Sequence, residues 1–454
     1  ESRGRSPLGS RSPLEQLKKR NKMRYFGTDG IRGTFGIPPI DGAHLNRLAQ
    51  ALEKRYGLKR VVIGRDTRAS GVAIKNFLVR GFSSDVEIFD CAVVTSPLLS
   101  QAVVDTGADL GLMITASHNP PEDNGIKILN HLGEKIMERE ETDLEQGMDS
   151  FFDPVENYGH RIVPYSVQPR YEMAQDIGDR FPHVVVDCAN GAAVTFAKAS
   201  YRFRKVDWLG DRPNGRNINA GCGSEYPELL CRTVRRSGAD LGIAHDGDGD
   251  RLLICDRYGE ILPGEIILGI IAIFLEKTGH LRGHQLVTTA MSNGGLSIAL
   301  GRYGIGVTDA EVGDRNVAET MRTVGCNFGG EHSGHVLFFD GAPTSDGIQT
   351  ALLFLKAIAF LNVLPENTRQ LIPLLPRKSC NIPVKQKIPL AKLPTLSGLI
   401  RTERERINKN GKIFLRYSGT EPKLRLLIEA EDEALAENVM NVLKNNIENC
   451  KEIL

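Results

Sequence analysis

Gly107-Ala108-Asp109-Leu110-Gly111 and Gly238-Ala239-Asp240-Leu241-Gly242 are two copies of one phrase, and each runs into a different set of reactive side chains. The first passes through Leu112-Met113-Ile114 to Thr115-Ala116-Ser117-His118-Asn119-Pro120. The second passes through Ile243-Ala244 to His245-Asp246-Gly247-Asp248-Gly249-Asp250-Arg251. A short apolar run bounded by glycine reads as a buried strand, and open α/β sheets place ligand sites beyond the C-terminal ends of their strands. One frame therefore presents a hydroxyl, the other a set of carboxylates.

Outward from this phrase, strand-sized apolar runs alternate with longer amphipathic ones. Residues 60–64, 86–91 and 110–115 read as strands of a first unit, with a helix over 43–56. Residues 183–188 and 241–244 mark a second unit, and 285–289, followed by Ser292-Asn293-Gly294-Gly295, opens a third. This βαβ rhythm predicts three related α/β units. Proline-containing stretches at 164–169 and 365–383 read as linkers, and the last 70 or so residues as a smaller separate domain.

A chain of 454 residues exceeds one core and predicts three or four domains, which a hydrophobic content of 41% can fill. A formal net charge of +1 gives no general attraction to nucleic acid or an acidic membrane. The longest apolar run, 266–275, is about half the roughly 20 residues that span a bilayer and predicts a buried helix. Eight cysteines without C-x-x-C spacing argue for reduced thiols rather than a disulfide framework or zinc site, which favours the cytoplasm. Residues 1–22, rich in Ser, Arg and Lys with no apolar h-region, read as a disordered or added extension rather than a signal peptide.

Four loops carry the chemistry. Ser117, at a strand end before His-Asn-Pro, is a nucleophile candidate, with a following helix expected to favour phosphate there; the plainer reading is a helix cap. Asp246, Asp248 and Asp250 alternate with glycines, so three carboxylates can converge on one hard cation, Mg²⁺ rather than Zn²⁺. The alternative is a polar turn. Gly329-Gly330-Glu331-His332-Ser333-Gly334-His335 offers groups that hydrogen-bond sugar hydroxyls and move a proton, although His332 suits a core position equally. Arg416-Tyr417-Ser418-Gly419-Thr420-Glu421-Pro422 gathers a guanidinium, hydroxyls and a glycine-freed backbone suited to phosphate, or else forms a plain hairpin turn. A hydroxyl, a cation cage and a phosphate clamp together indicate phosphoryl transfer. With no Walker loop or kinase signature for a nucleotide donor, the phosphate is expected to come from a phosphoserine.

These four loops, in this order, resemble the signature loops of the α-D-phosphohexomutases, over nearly the whole chain from Met23 onward. Tyr25-Phe26-Gly27-Thr28-Asp29-Gly30-Ile31-Arg32-Gly33, Asn217-Ile218-Asn219, Cys222-Gly223-Ser224 and Val312-Gly313-Asp314-Arg315 are similar to the bacterial phosphoglucosamine branch in particular. The resemblance implies an α/β fold of three related domains with mixed sheets, at 23–158, 159–256 and 257–370. A smaller C-terminal α+β domain at 371–454 would complete a central cleft.

By the same resemblance Ser117 is phosphorylated, and its phosphate with Asp246, Asp248 and Asp250 holds one Mg²⁺. Arg32 and His118 lie near the phosphoserine, Lys127 is the general acid/base candidate, and Arg251 steadies the transferring phosphate. Glu331 and Ser333 grip sugar hydroxyls, His335 assists proton transfer, and Arg416, Ser418, Gly419 and Thr420 hold the non-reacting phosphate. The implied reaction interconverts glucosamine 6-phosphate and glucosamine 1-phosphate through a sugar 1,6-bisphosphate, which also serves as primer, on the route to UDP-N-acetylglucosamine. Glucose or mannose phosphates, and a catalytically silent sugar-phosphate-binding regulator, are the alternatives. The expected partner is a small phosphosugar, without nucleic acid or membrane, and with a homodimer allowed. Four positions depart from the branch pattern: Glu225-Tyr226 where Thr-His is usual, Asn316 where Tyr is usual, and Glu311 where Lys is frequent.

Overall fold

The computed structural model describes residues 24–27, 29–150, 159–171, 173, 175–389, 392–407, 411–418 and 422–450. The extension read at 1–22, and Gly419 and Thr420 of the fourth loop, lie outside these.

The repeated phrase is a joint between helix and sheet. Helix Ser96–Thr106 ends at Gly107 with φ 60°, and helix Glu228–Ser237 ends at Gly238 with φ 67°. That left-handed turn costs glycine nothing, which is why it stops both helices. Ala108 and Ala239 follow, each buried. Asp109 then accepts the backbone N–H groups of Lys59 at 2.7 Å and Arg60 at 2.9 Å, and Asp240 accepts that of His183 at 3.0 Å. Arg60 and His183 are the first residues of strands Arg60–Arg65 and His183–Asp187. Each aspartate thus clasps the incoming strand to the start of its neighbour and fixes the register.

A seven-stranded sheet runs in the order Phe26–Gly27, Gly30–Thr34, Asp123–Asn130, Leu110–Ile114, Arg60–Arg65, Glu87–Val93, Ile162–Pro164. A five-stranded sheet follows as Ile261–Leu262, Leu253–Asp256, Leu241–Ala244, His183–Asp187, Lys205–Leu209. The third sheet has four strands, Gly306–Ala310, Gln285–Thr289, Phe328–Gly330 and Val336–Phe338. One arrangement recurs in all three. A strand lies parallel to an earlier neighbour, and the chain then returns antiparallel: Leu110–Ile114 before Asp123–Asn130, Leu241–Ala244 before Leu253–Asp256, Phe328–Gly330 before Val336–Phe338. The sheets are therefore mixed, and each turnaround carries one reactive loop.

The C-terminal unit pairs Arg377–Pro383, Lys423–Glu429 and Lys412–Tyr417 in an antiparallel sheet covered by helices Pro394–Arg406 and Glu433–Glu448, an α+β arrangement. The apolar run at 266–275 forms the middle of helix Gly264–Lys277, in which every residue from Glu265 to Leu275 is buried. It packs with helix Gly347–Phe360 in a core that also takes in Val184, Ile243 and Ile254, so the second and third sheets share one interior. Among the described residues no single helix is long and apolar enough to cross a membrane, and all eight cysteines are free, six of them buried.

Of the two linkers read from proline content, the second is corrected. In the first, Pro164 ends the edge strand Ile162–Pro164 of the first sheet, and 165–169 run outside any helix or strand toward the second unit. Within 365–383, Thr368–Leu371 is helical, Ile372 is fully buried, and Arg377–Pro383 is a strand of the C-terminal sheet. Proline here bounds elements instead of marking free chain.

Candidate active site

Ser117 sits in the turn after Leu110–Ile114 with φ 50°, a left-handed conformation that costs a non-glycine residue roughly 1–2 kcal/mol and persists only where its surroundings hold it. They do so from three sides. The Ser117 N–H donates to Thr115 Oγ1 at 2.9 Å, and its carbonyl accepts from Arg68 Nη2 at 3.0 Å and Asn219 Nδ2 at 2.8 Å. Arg68, 1% exposed, also donates to the carbonyls of Asn119 at 2.8 Å, Asp123 at 2.9 Å and Pro120, while Asp66 receives its Nε at 2.9 Å. One buried guanidinium thus replaces the hydrogen bonds that a helix or sheet would give this loop. The expected helix after Ser117 is absent: prolines 120 and 121 block it, and the chain returns as strand Asp123–Asn130. The helix-cap reading of Ser117 falls with it.

Asp246, Asp248 and Asp250 are all buried, and their ligating atoms lie within 4.8 Å of one another. Neighbouring backbone shapes this loop. Asp248 O accepts from Ser96 N–H at 2.9 Å, Gly247 O from Ala192 N–H at 2.8 Å, and Gly249 O from Gly347 N–H at 3.1 Å. A side chain on Gly247 would meet the Ser117 carbonyl at 2.5 Å, so glycine lets the two loops touch. Ser117 Oγ donates to Asp246 Oδ2 at 2.7 Å. Asp248 Oδ1 and Asp250 Oδ1 are buried without a hydrogen bond. Orphaned oxygens in a converging all-carboxylate set fit a hard divalent cation.

The charge of the triad is balanced from the sides. Lys127 Nζ donates to Asp248 Oδ2 and Asp250 Oδ2, both at 2.7 Å, and lies 3.3 Å from Asp29. Burial alone would depress Lys127, but Asp248, Asp250 and Asp29 outweigh it and hold the amine well above the usual lysine range. Burial, then the neighbouring Asp250 and Asp248, pushes the Asp246 carboxyl up to about 7. His335 Nε2 lies 3.4 Å from Asp250 and Nδ1 lies 3.4 Å from Glu331. Against burial, those carboxylates raise His335 to about 10. His118, 3.3 Å from Ser117 Oγ, goes the other way, to about 4, through burial and the nearby Arg251.

Arg251 joins the loops. Its Nη2 is 3.0 Å from His118 Nδ1, its Nε 3.2 Å from His335 Nε2, and its Nη1 2.6 Å from Glu225. Arg32 pairs with Asp29 at 2.6 Å and approaches Asn119 at 3.4 Å, leaving its Nε buried and unpaired. Glu331 accepts the Gly313 N–H at 2.9 Å, and Ser333 beside it is exposed. Ser117, His118, Lys127, Arg32, Asp246, Asp248, Asp250, Arg251, Glu331, Ser333 and His335 therefore gather in one region. Arg416 does not join them: it lies exposed on strand Lys412–Tyr417, over the Phe414 ring at 5.9 Å, and among the described residues makes no hydrogen bond or ion pair to the other loops. Ser418 is buried beside it, its N–H donating to Lys423 O at 2.8 Å across a hairpin. The phosphate reading and the hairpin-turn reading of that loop are both compatible with this placement.

Sequence reasoning missed Arg68, Asn219, Asp29 and Ser96. A signal existed for the first, since Arg65-Asp66-Thr67-Arg68 follows a strand as the other charged loops do.

Four models of phosphoglucomutase/phosphomannomutase domains match the chain in series: alpha/beta/alpha domain I over residues 23–152, domain II over 165–259, domain III over 263–374 and the C-terminal domain over 380–445. A phosphoglucosamine mutase from Syntrophotalea carbinolica is 36% identical over 449 residues, covering 94% of this chain and 98% of that protein. The chain belongs to the phosphoglucosamine mutase family. It is thus an isomerase of the phosphohexomutase type. A crystal structure of a phosphoglucomutase/phosphomannomutase family protein from Burkholderia thailandensis shares the fold, with TM-score 0.74 at 22% identity over 94% of this chain and 97% of that one. An Aspergillus fumigatus N-acetylphosphoglucosamine mutase, solved in complex with GlcNAc-6P and magnesium, aligns with TM-score 0.62 at 18% identity over 96% and 97% of the two chains.

Proposed function

We propose that this chain interconverts glucosamine 6-phosphate and glucosamine 1-phosphate, with Ser117 carrying the exchanged phosphate. The observation that supports it most is Ser117 Oγ, held by a strained, over-determined turn 2.7 Å from a carboxylate of the buried aspartate triad. Asp246, Asp248, Asp250 and the Ser117 phosphate would hold Mg²⁺, which when bound supplies charge neutralisation at the transferring phosphate. In the forward half, Lys127 or His335, having first released its own proton to solvent, takes the hydroxyl proton as the sugar oxygen bonds to phosphorus and the bond from phosphorus to Ser117 Oγ breaks, and Ser117 Oγ takes up a proton by way of the adjacent Asp246 carboxyl. In the return half Ser117 Oγ gives that proton back as it bonds to the other phosphorus, and the same Lys127 or His335, now cationic, gives its proton to the departing sugar oxygen.

Between the halves the 1,6-bisphosphate turns over in the site and presents its other phosphate. Arg32 and His118 flank the phosphoserine and Arg251 steadies the transferring group. Glu331 and Ser333 bind the ring hydroxyls or the C2 amine. Arg416, Ser418, Gly419 and Thr420 hold the distal phosphate. A sugar 1,6-bisphosphate primes the cycle, and the reading sets the enzyme in the cytoplasm acting on a small phosphosugar. The test is one substrate panel under a single Mg²⁺ and bisphosphate condition. Glucosamine phosphates are expected to give the highest kcat/KM, and a preference for glucose or mannose phosphate would overturn the choice of sugar.

A further inference from the structure

Glu225 occupies a position that the mechanism leaves unexplained. The loop bearing it is fastened beneath the second sheet: Asp187 accepts the Gly223 N–H at 2.9 Å, and the His245 carbonyl accepts the Ser224 N–H at 3.0 Å. The same segment reaches the serine turn, where Asn219 Nδ2 donates to the carbonyls of Ser117 and Asn119 at 2.8 and 3.0 Å. From this anchored loop Glu225 extends to Arg251, its Oε1 lying 2.6 Å from Nη1. The other faces of the guanidinium meet His118, His335 and, at 4.0 Å, Asp246, so Glu225 is the close carboxylate on its outer edge. Arg251 is mostly covered, with 15% of its side chain exposed, whereas Glu225 has 38% exposed and can swing away.

Resting on the reading that Arg251 steadies the transferring phosphate, we propose that Glu225 is a positioning residue that competes with phosphate for the Arg251 guanidinium and so sets how strongly that phosphate is held. A guanidinium offers a fork of donors that suits a carboxylate and a phosphate equally, so one fork cannot serve both at full strength. While the site is empty, Glu225 keeps Arg251 oriented and its charge balanced. When a phosphate arrives it displaces the carboxylate, and when it leaves the carboxylate returns. The enzyme gains easy release and turnover of a doubly phosphorylated intermediate at the expense of affinity.

The sign of this effect separates it from a structural role, because removing a residue that merely braces Arg251 weakens anion binding, while removing a competitor strengthens it. The experiment titrates the full-length Mg²⁺-loaded protein, Ser117 unphosphorylated, with inorganic phosphate by calorimetry, in wild type, Glu225→Gln, Arg251→Gln and the double variant. Glu225→Gln is expected to tighten phosphate on the order of twofold to fivefold, the range of a partly exposed ion pair, to lower KM for glucosamine 6-phosphate and to lower kcat. The tightening should vanish in the Arg251→Gln background. Unchanged or weakened phosphate binding in Glu225→Gln, with Arg251→Gln weakening it, overturns the proposal and leaves the role of Arg251 standing. If Arg251→Gln itself binds phosphate normally, that role fails and the proposal fails with it.

Discussion

The serine loop and the aspartate loop begin from the same five residues and solve opposite problems. After Leu110–Ile114 the chain must hold one hydroxyl in a conformation it resists, and it does so with borrowed side chains: Arg68 on four carbonyls and Asn219 on two. After Leu241–Ala244 it must hold three like charges together. There the backbone is fixed by three main-chain bonds, and the charge is answered from elsewhere by Lys127, Arg251 and His335. Precision in one loop comes from hydrogen bonds to the main chain, and in the other from electrostatic balance. The two should therefore fail differently.

The largest difference is expected in chemistry. Ser117→Ala should lower mutase turnover by at least roughly 10³-fold with the fold intact, since a two-step transfer has no substitute for its nucleophile. Near-normal turnover would end the phosphoserine scheme. Asp248→Ala should cost on the order of 10²-fold or more and blunt the response to added Mg²⁺, measured as turnover against metal concentration. Full activity in excess chelator would remove the cage from the reaction.

Stability should separate the loops next. Arg68→Met takes the guanidinium from four carbonyls, two of which keep Asn219, and from the fully buried Asp66, and is expected to cost on the order of 3 kcal/mol in urea unfolding. Asp248→Ala removes one of three crowded carboxylates and should cost far less. Equal losses would refute the contrast.

The smallest effect lies in pH. His118 is lowered to about 4, so between 6.5 and 4 the unfolded chain binds a proton the folded one refuses, and stability falls as pH drops through that window. His335 is raised to about 10, so it contributes stability that is full below 6.5 and lost as pH rises toward 10. Thermal melts in chelator should show His118→Gln flattening the acid limb and His335→Gln the alkaline limb. The reverse assignment would contradict the geometry.

Much of this was readable from the chain because it is local. Strands Leu241–Ala244 and Gln285–Thr289 lie where their apolar runs end, and the convergence of three carboxylates follows from acid-glycine alternation after a buried strand. The supports were less readable, with the charged run Arg65-Asp66-Thr67-Arg68 as the one sign of Arg68. Arg68 and Asn219 act on main-chain carbonyls some 50 and 100 residues away, and a carbonyl leaves no mark in a sequence. The helix expected after Ser117 failed although Pro120 and Pro121 stood in the sequence to block it, and pairing with Leu110–Ile114 and Gly30–Thr34 then takes the segment into the sheet. The proline-containing stretch at 365–383 misled because proline marks the edges of elements as readily as the gaps between them.

Among the described residues, the C-terminal sheet is fastened to the third unit at the Glu429 end of its strands. Glu429 accepts from Arg377 and from the Gly294 N–H, and Lys412, its partner across the sheet, donates to the carbonyls of Ala290 and Ser292. Arg416 and Ser418 lie at the other end of those strands, about 20 Å away at 3.3 Å per residue. A sheet held at its base acts as a lever: a tilt of about 10° at the Glu429 end would carry Arg416 and Ser418 through about 3.5 Å.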